Sequence, residues 1–430
     1  MCTKLYKHQV DGLEKTKDLN RVAYYWDMGL GKTFAGSEKI MQLGAEINLV
    51  VCQKSKIDDW KEHFFENYWN INVCDCTTEK GLNAFLHPAA PVKCHIGIIN
   101  YDLIWRRPKL LKLSDFTLLL DESSLIQNET AKRSKFILKM QPKNVILLSG
   151  TPTGGKYERL WSQMHLLGWN ISKDLYWKQY VNVEYHEVGM TETGKVKSIP
   201  IVTSYKNVER LKRKMNDYGC QFLKTDEVFD LPLQTFQKVR IPASKEYRIF
   251  RKDKIVTVGE SELVGDTTLK RMLYERMLCG QYSEAKLKAF KDLLESTEDR
   301  LVVFYNFTEE LQQLMRITKL DCNKPFSIVN GKQKDLQAYE ERDNSVTFIQ
   351  YQAGAMGLNL QKANKIIYFT LPLSSELYEQ SKKRIHRIGQ DRPCFYYQLI
   401  CKGTIEEKII QTLDMRQDYT EKLFEKDDIN

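Results

Sequence analysis

Near-continuous apolar runs recur through the first third of the chain: VAYYW (22–26), NLVVC (48–52), HIGIIN (95–100), FTLLL (116–120) and NVILLS (144–149). A strand buried on both faces carries such a run, whereas a half-exposed strand alternates. Amphipathic stretches such as TFAGSEKIMQLG (33–44) lie between them. The alternation predicts a doubly wound parallel α/β sheet. The middle, about 156–295, is rich in Lys, Arg, Glu, Leu and Tyr and mostly helical in period. VGMTETGKVKSIP (188–200) interrupts it as a polar hairpin or loop. DLPLQTFQKVRIPAS (230–244), with two prolines and an extended character, reads as the crossing between two lobes. After about 296 the rhythm returns with RLVVFYN (300–306), SVTFIQY (345–351), NKIIYF (364–369) and CFYYQLI (394–400). Two α/β lobes joined through a helical middle are expected.

Length and composition narrow this only modestly. A chain of 430 residues suits two or three domains. The 42% hydrophobic and 28% charged content is that of an ordinary globular protein. No apolar run approaches the roughly 20 residues of a membrane span. The start, MCTKLYKHQV, has no apolar signal core, which argues for a cytoplasmic protein with no membrane partner. Ten cysteines are scattered without a paired framework, and only Cys74 and Cys76 lie close, so reduced thiols are expected. The formal charge of +9 permits a polyanionic partner without requiring one.

The chemistry is concentrated in a few short stretches. WDMGLGKT (26–33) follows a strand-like run and opens a helix-like one. Glycines there let backbone N–H groups approach an anion, and the helix N-terminus adds partial positive charge. Lys32 suits the β and γ phosphates of a nucleotide, and the Thr33 hydroxyl suits a magnesium ion. The first glycine of the general phosphate-loop pattern is missing, since Trp26 stands in its place. Asp121 and Glu122 end the apolar run FTLLL, so they are expected at the carboxyl edge of the sheet, where ligands bind. Asp121 would hold magnesium, and Glu122 would orient and deprotonate the attacking water. Ser149, Gly150 and Thr151 follow another buried run. Farther on, LYEQSKKRIHRIGQ (377–390) is expected to be helical through its middle. Gln380, Arg384 and Arg387 would then share one face, presenting planar forks to a phosphate across a cleft.

In order and spacing these motifs resemble the Swi/Snf family of DNA-stimulated ATPases, within helicase superfamily two, nearly end to end. LYKHQVDGL (5–13) resembles the family's opening glutamine motif, which implies that Gln9 meets adenine. DMGLGKT (27–33) resembles its phosphate loop, implying nucleotide contacts from Met28, Gly29, Leu30, Gly31, Lys32 and Thr33. NLVVCQKSKIDDW (48–60) resembles motif Ia, DESSLIQN (121–128) the DEAH box, LLSGTPT (147–153) motif III and QFLKTDEVFDLP (221–232) the segment closing the first lobe. QAGAMGLNL (352–360) resembles motif V, with Gly357 toward the nucleotide. QSKKRIHRIGQ (380–390) resembles motif VI, and GTIEEKI (403–409) the helix after it, where Thr404 and Glu407 form a capping-box pattern. Three departures stand out: Ser124 for the usual His, Gln53 for the usual Pro, and TLPLSS (370–375) without the usual Trp-Asn-Pro.

The resemblance implies two RecA-like parallel-sheet lobes with helical protrusions between them, divided as 1–234 and 235–430. ATP and Mg2+ are the implied ligands, with Lys32, Asp121, Glu122, Arg384 and Arg387 in catalysis and Thr33 and Asp121 on the metal. It further implies double-stranded DNA as a sequence-independent partner, touched through Lys54, Ser55, Tyr101, Thr151, Asn306 and Gln352. ATP hydrolysis would drive movement along the duplex. A strand-separating helicase and an ATP-gated clamp that remodels a partner are the competing readings. The compact core resembles those of phage or mobile-element replication and repair sets, which implies a replication or repair protein as partner and, for a phage protein, the host cytoplasm.

Overall fold

The computed structural model describes residues 3–88, 92–190, 196–354 and 358–424. The chain divides into two units, Met1–Val228 with Tyr419–Asn430, and Phe229–Asp418. Among the described residues no helix is long and apolar enough to cross a membrane.

The first unit is built on seven strands: β1 (Arg21–Trp26), β2 (Ile47–Cys52), β3 (Ile71–Asp75), β4 (Cys94–Asn100), β5 (Thr117–Asp121), β6 (Asn144–Leu148) and, beyond a hairpin of β7 (Val181–Met190) and β8 (Val196–Tyr205), β9 (Cys220–Leu223). Their order across the sheet is β3-β4-β2-β5-β6-β1-β9, and every pairing is parallel. Parallel strands need helical crossovers, which cover both faces. That is why β5 and β6 are buried at nearly every position rather than at alternate ones. The five apolar runs of the first third became strands within a residue of their expected bounds. The interruption at 188–200 belongs to a longer hairpin beginning at Val181, and its turn, 191–195, falls outside the described residues.

In the second unit the sheet order is β10-β18-β17-β13-β16-β14-β15. Here β10 is Gln234–Pro242, β11 (Ile255–Val258) and β12 (Ser261–Val264) form a separate small hairpin, β13 is Leu301–Tyr305, β14 is Phe326–Val329, β15 is Lys334–Asp335, β16 is Val346–Gln350, β17 is Lys365–Tyr368 and β18 is Cys394–Lys402. Only β14–β15 is antiparallel. The central strand shows why both faces are dry. Leu301, Val303 and Tyr305 enter one core, and Val302 and Phe304 the other, as strand alternation dictates. The boundary between the units falls at Val228/Phe229, ahead of the prolines of 230–244, and most of that stretch is β10, an edge strand where proline is tolerated.

Beneath this sheet a buried ion pair ties distant segments. The ammonium of Lys286 donates to both oxygens of Glu406, at 2.6 and 2.8 Å, and both side chains are almost fully buried. Glu406 also accepts from the Cys401 backbone N–H at 2.9 Å. Thr404 Oγ1 accepts from the Glu406 backbone N–H at 3.2 Å and so caps this helix start. Removing one partner strands a charge. Lys286→Ala is expected to lower unfolding free energy by about 3–5 kcal/mol in denaturant titration, and Lys286→Met with Glu406→Leu far less.

Candidate nucleotide site and nucleic-acid face

All strands of the first sheet point the same way, so the ends of β1, β6 and β5 meet at one edge in that order. β1 runs into the loop of residues 27–31, which opens a helix at Lys32–Leu43. Gly29 and Gly31 have φ of +90° and +70°, in the left-handed region. Gly31 has no room for a side chain either, because a Cβ there would lie 2.1 Å from Gln9 Nε2. Gln9 is buried and fixed to the loop. Its Nε2 donates to the carbonyls of Leu30 and Gly31 at 3.3 and 3.2 Å, and its Oε1 accepts from the Tyr6 N–H at 2.9 Å. The Lys32 ammonium donates to the carbonyls of Trp26 and Asp27 at 2.8 and 3.1 Å. Met28 and Leu30 flank the glycines, and Thr33 takes the second helical position.

Asp121 and Glu122 project from the end of β5 toward the same loop. Asp121 Oδ2 accepts from Trp60 Nε1 at 2.8 Å. Burial raises its pKa, while the Trp60 bond and the charge of Lys32 oppose the rise. Burial likewise raises that of Glu122, opposed by Lys32 and Ser149 and reinforced by Asp121. Glu122 Oε1 accepts from Ser149 Oγ at 2.6 Å and Ser124 Oγ at 3.2 Å. Its backbone sits at φ +61°, ψ +60°, a conformation unusual for a residue with a side chain. Strain of this kind persists where the surroundings over-determine it, typically at a working residue. Gly150 packs close over the loop, since a Cβ there would stand 3.3 Å from Met28 Cγ, 3.5 Å from Lys32 Nζ and 3.6 Å from Met28 N. A glycine cradle, a lysine, a helix N-terminus and two carboxylates fit a nucleotide phosphate chain with a divalent cation.

The sequence singles out Ser149 among the small hydroxyl residues that follow a buried run, but not Trp60. Trp60 lies 61 residues from its carboxylate, and no local pattern announces such a contact.

The expected DNA contacts are scattered by circumstance. Lys54 and Ser55 are exposed on the turn Lys54–Lys56. Tyr101 requires correction. It is 2% exposed, and its hydroxyl donates to the carbonyls of Asp121 and Glu122 at 3.0 and 3.4 Å. Its side chain supports the carboxylate turn and is not offered to DNA. Thr151 is also buried, and its backbone N–H donates to Ser149 Oγ at 3.2 Å.

In the second unit Asn306 follows β13 and Gln352 follows β16, at the carboxyl edge. Gln352 is exposed. Asn306 donates its side-chain amide to Thr370 Oγ1 at 2.9 Å and to the carbonyls of Thr370 and Leu371 at 3.3 and 3.2 Å. The turn is pinned by Glu310, whose Oε2 accepts from the N–H groups of Asn306 and Phe307 and from Thr370 Oγ1, at 2.9, 3.1 and 2.9 Å. Burial lifts the Glu310 carboxyl from the ordinary 4.5 to about 7. The folded state therefore holds a proton that the unfolded chain has released between about pH 4.5 and 7, and stability falls as pH rises through that window. A shift of that size corresponds to on the order of 3 kcal/mol. Glu310→Gln is expected to flatten this part of the stability–pH curve, measured by denaturant midpoints at pH 5, 6 and 7.

The expected helix over 377–390 is shorter than its sequence suggests. It runs Ser375–Lys382, and turns follow. Carbonyls from that point on also accept from outside the helix: Tyr396 OH donates to Lys382 O, the Leu360 N–H to Arg384 O and Gln390 Nε2 to Ile385 O. Gln380, Arg384 and Arg387 are therefore not aligned by helical spacing. Gln380 Nε2 lies 3.5 Å from Glu376 Oε1, Arg384 is 6% exposed, and Arg387 Nη1 donates to Asn359 Oδ1. Gly357 lies outside the described residues.

The chain matches the SNF2-related domain over residues 19–286 and the helicase conserved C-terminal domain over 285–389. Among curated relatives, the mouse SWI/SNF-related matrix-associated actin-dependent regulator of chromatin subfamily A member 1 is 22% identical over 91% of this chain, which spans 40% of that protein. An uncharacterized ATP-dependent helicase of Bacillus subtilis, YqhH, is 24% identical over 94% of this chain and 77% of its own length. A solved SWI2/SNF2 ATPase core from Sulfolobus solfataricus, in complex with double-stranded DNA, aligns at 19% identity with a TM-score of 0.45, over 97% of this chain and 92% of that one. With a parallel α/β sheet in each unit and the SNF2-related match running over more than half its length, this chain belongs to the SNF2-related family.

Proposed function

We propose that this protein is a DNA-dependent ATPase that couples ATP hydrolysis to movement along double-stranded DNA, with functional domains at 1–234 and 235–430. The observation that carries the ATPase reading is the convergence of the glycine loop, Lys32, Asp121 and Glu122 at one sheet edge. Lys32 and the loop N–H groups would bind the phosphates. Thr33 and Asp121 would hold Mg2+, which when bound neutralises phosphate charge. Glu122, oriented by Ser149 and Ser124, would take the proton of the attacking water. Burial holds the Glu122 carboxyl above its ordinary range, which makes it a better base than an exposed carboxylate.

The DNA reading rests on the family and on the relatives' described activities. Contacts to phosphates fix register without reading sequence, so binding should be sequence-tolerant and should weaken steeply with salt. Duplex movement differs from strand separation in needing no wedge. The hairpin β7–β8 is the candidate wedge, and the turn between its strands, TETGK (191–195), contains no aromatic residue to stack on a base. The expected result is ATPase stimulated by duplex more than by single strands or RNA, with displacement of a triplex third strand and little unwinding of a fork. Efficient fork unwinding without triplex activity would replace this reading with a helicase.

A further inference from the structure

The strands β10 and β18 end side by side, with Pro242 opposite Lys402. Ser244 then caps the helix Lys245–Asp253, its hydroxyl accepting from the Tyr247 N–H at 3.1 Å. Tyr247 and Phe250 turn inward and are buried, and Tyr247 OH accepts from the Ile405 N–H at 2.9 Å. Once these two residues face the core, helical spacing forces Arg248, Arg251 and Lys252 onto the outer side together. With Lys402 they line an open concavity of about 400 Å³. All four are exposed.

What separates this patch from an ordinary basic helix face is the missing countercharge. On and beside other helices lysines pair with acids three or four residues away: Lys17 with Glu14, Lys214 with Asp217, Lys270 with Asp266. Glu246 and Asp253 lie on this helix, yet no carboxylate lines the concavity. Among the described residues, none of the ion pairs found involves Arg248, Arg251, Lys252 or Lys402. Two arginines are already steered by backbone carbonyls, Arg251 to Gly403 O at 2.9 Å and Arg248 to Ala243 O at 3.3 Å. Gathering like charges is unfavourable unless an anion joins them.

We propose that this concavity is a phosphate-binding site of the second unit and that it takes backbone phosphates of duplex DNA. The duplex as source rests on the function proposed above. It is favoured by position. The concavity lies at the same sheet edge as Asn306 and Gln352, two and three strands away in the order β18-β17-β13-β16. At ~4.8 Å per strand, that is roughly 10 and 15 Å. A duplex carries one charge per ~1.7 Å of its axis, so one segment can supply phosphates to both places. The opening to solvent also suits a polymer that passes through.

The test compares the full-length protein with the triple variant Arg248→Gln, Lys252→Gln, Lys402→Gln. Arg251 is kept because its bond to Gly403 serves the fold. Unchanged thermal melting and unchanged DNA-free ATPase confirm an intact motor. Duplex affinity is measured from 50 to 200 mM salt, and tripolyphosphate binding by calorimetry. The expected result is at least a tenfold loss of duplex affinity at 50 mM and a log–log salt slope shallower by roughly 2–3. An unchanged slope, with tripolyphosphate binding lost, overturns the duplex as ligand and leaves a free polyphosphate site. Unchanged slope and unchanged tripolyphosphate binding overturn the site itself. Failure of both proteins to bind duplex would count against the proposed motor, and the tripolyphosphate arm alone would then decide the concavity.

Discussion

Glu122→Gln should bind ATP with near wild-type affinity and turn it over at least ~10³-fold more slowly. The substitution keeps the shape of the side chain and its reach to Ser149 and Ser124, and it removes only the base. The metal ligands Thr33 and Asp121 are untouched, so ground-state binding should survive. Lys32→Ala provides the contrast, because it should lose affinity and turnover together. Equilibrium binding of a fluorescent ATP analogue and steady-state phosphate release separate the two outcomes. Near wild-type turnover in Glu122→Gln would move the base to another carboxylate.

Arg387→Ala should also retain ATP binding and lose roughly 10³-fold in kcat, as expected of an arginine that stabilises a phosphoryl transition state. Its structural bonds are few: Nη1 donates to Asn359 Oδ1 and, at 3.4 Å, to the Leu358 carbonyl. Losing such bonds costs about 1 kcal/mol of stability each, far too little to explain a thousandfold effect in a protein that remains folded. Arg387→Lys keeps the charge and lacks the planar fork, so it should recover only part of the rate. Arg384→Ala should behave similarly in turnover with a larger melting shift, because Arg384 is almost completely buried. A kcat within threefold of wild type for Arg387→Ala would remove it from the chemistry.

Legibility in the sequence followed burial. Strands in the middle of each sheet read clearly because both faces are dry, as at Val302–Phe304 and Leu118–Leu120. Edge strands did not. INVCD is only partly buried and so lacks an apolar run, and CQFL, at the opposite edge of the same sheet, is four residues long. The phosphate loop and the carboxylate pair were legible because local order along the chain fixes them. The contact that holds Asp121 was not, since Trp60 reaches it only through tertiary structure, and Glu310, which pins the Asn306 turn of the second unit, was equally silent. The premature end of the helix at Lys382 was not legible either. No breaker precedes Gly389, and the carbonyls around the helix end also accept from Tyr396 and Leu360, contacts that no local pattern announces.

The pairing of β10 with β18 has a consequence for synthesis. β10 leaves the ribosome about 150 residues before its only sheet neighbour among the described strands begins at Cys394. At the usual 5–20 residues per second, that is roughly 8–30 s during which its N–H and C=O groups have no cognate strand. An unpaired edge is a template for the wrong chain. Phe236, which finally stacks on Tyr396 with ring centroids 4.5 Å apart, is the hazard in that interval. Lys238 and Arg240 follow it at alternate positions on the same side of the strand, and charges so placed discourage a second copy from adding to the nascent edge.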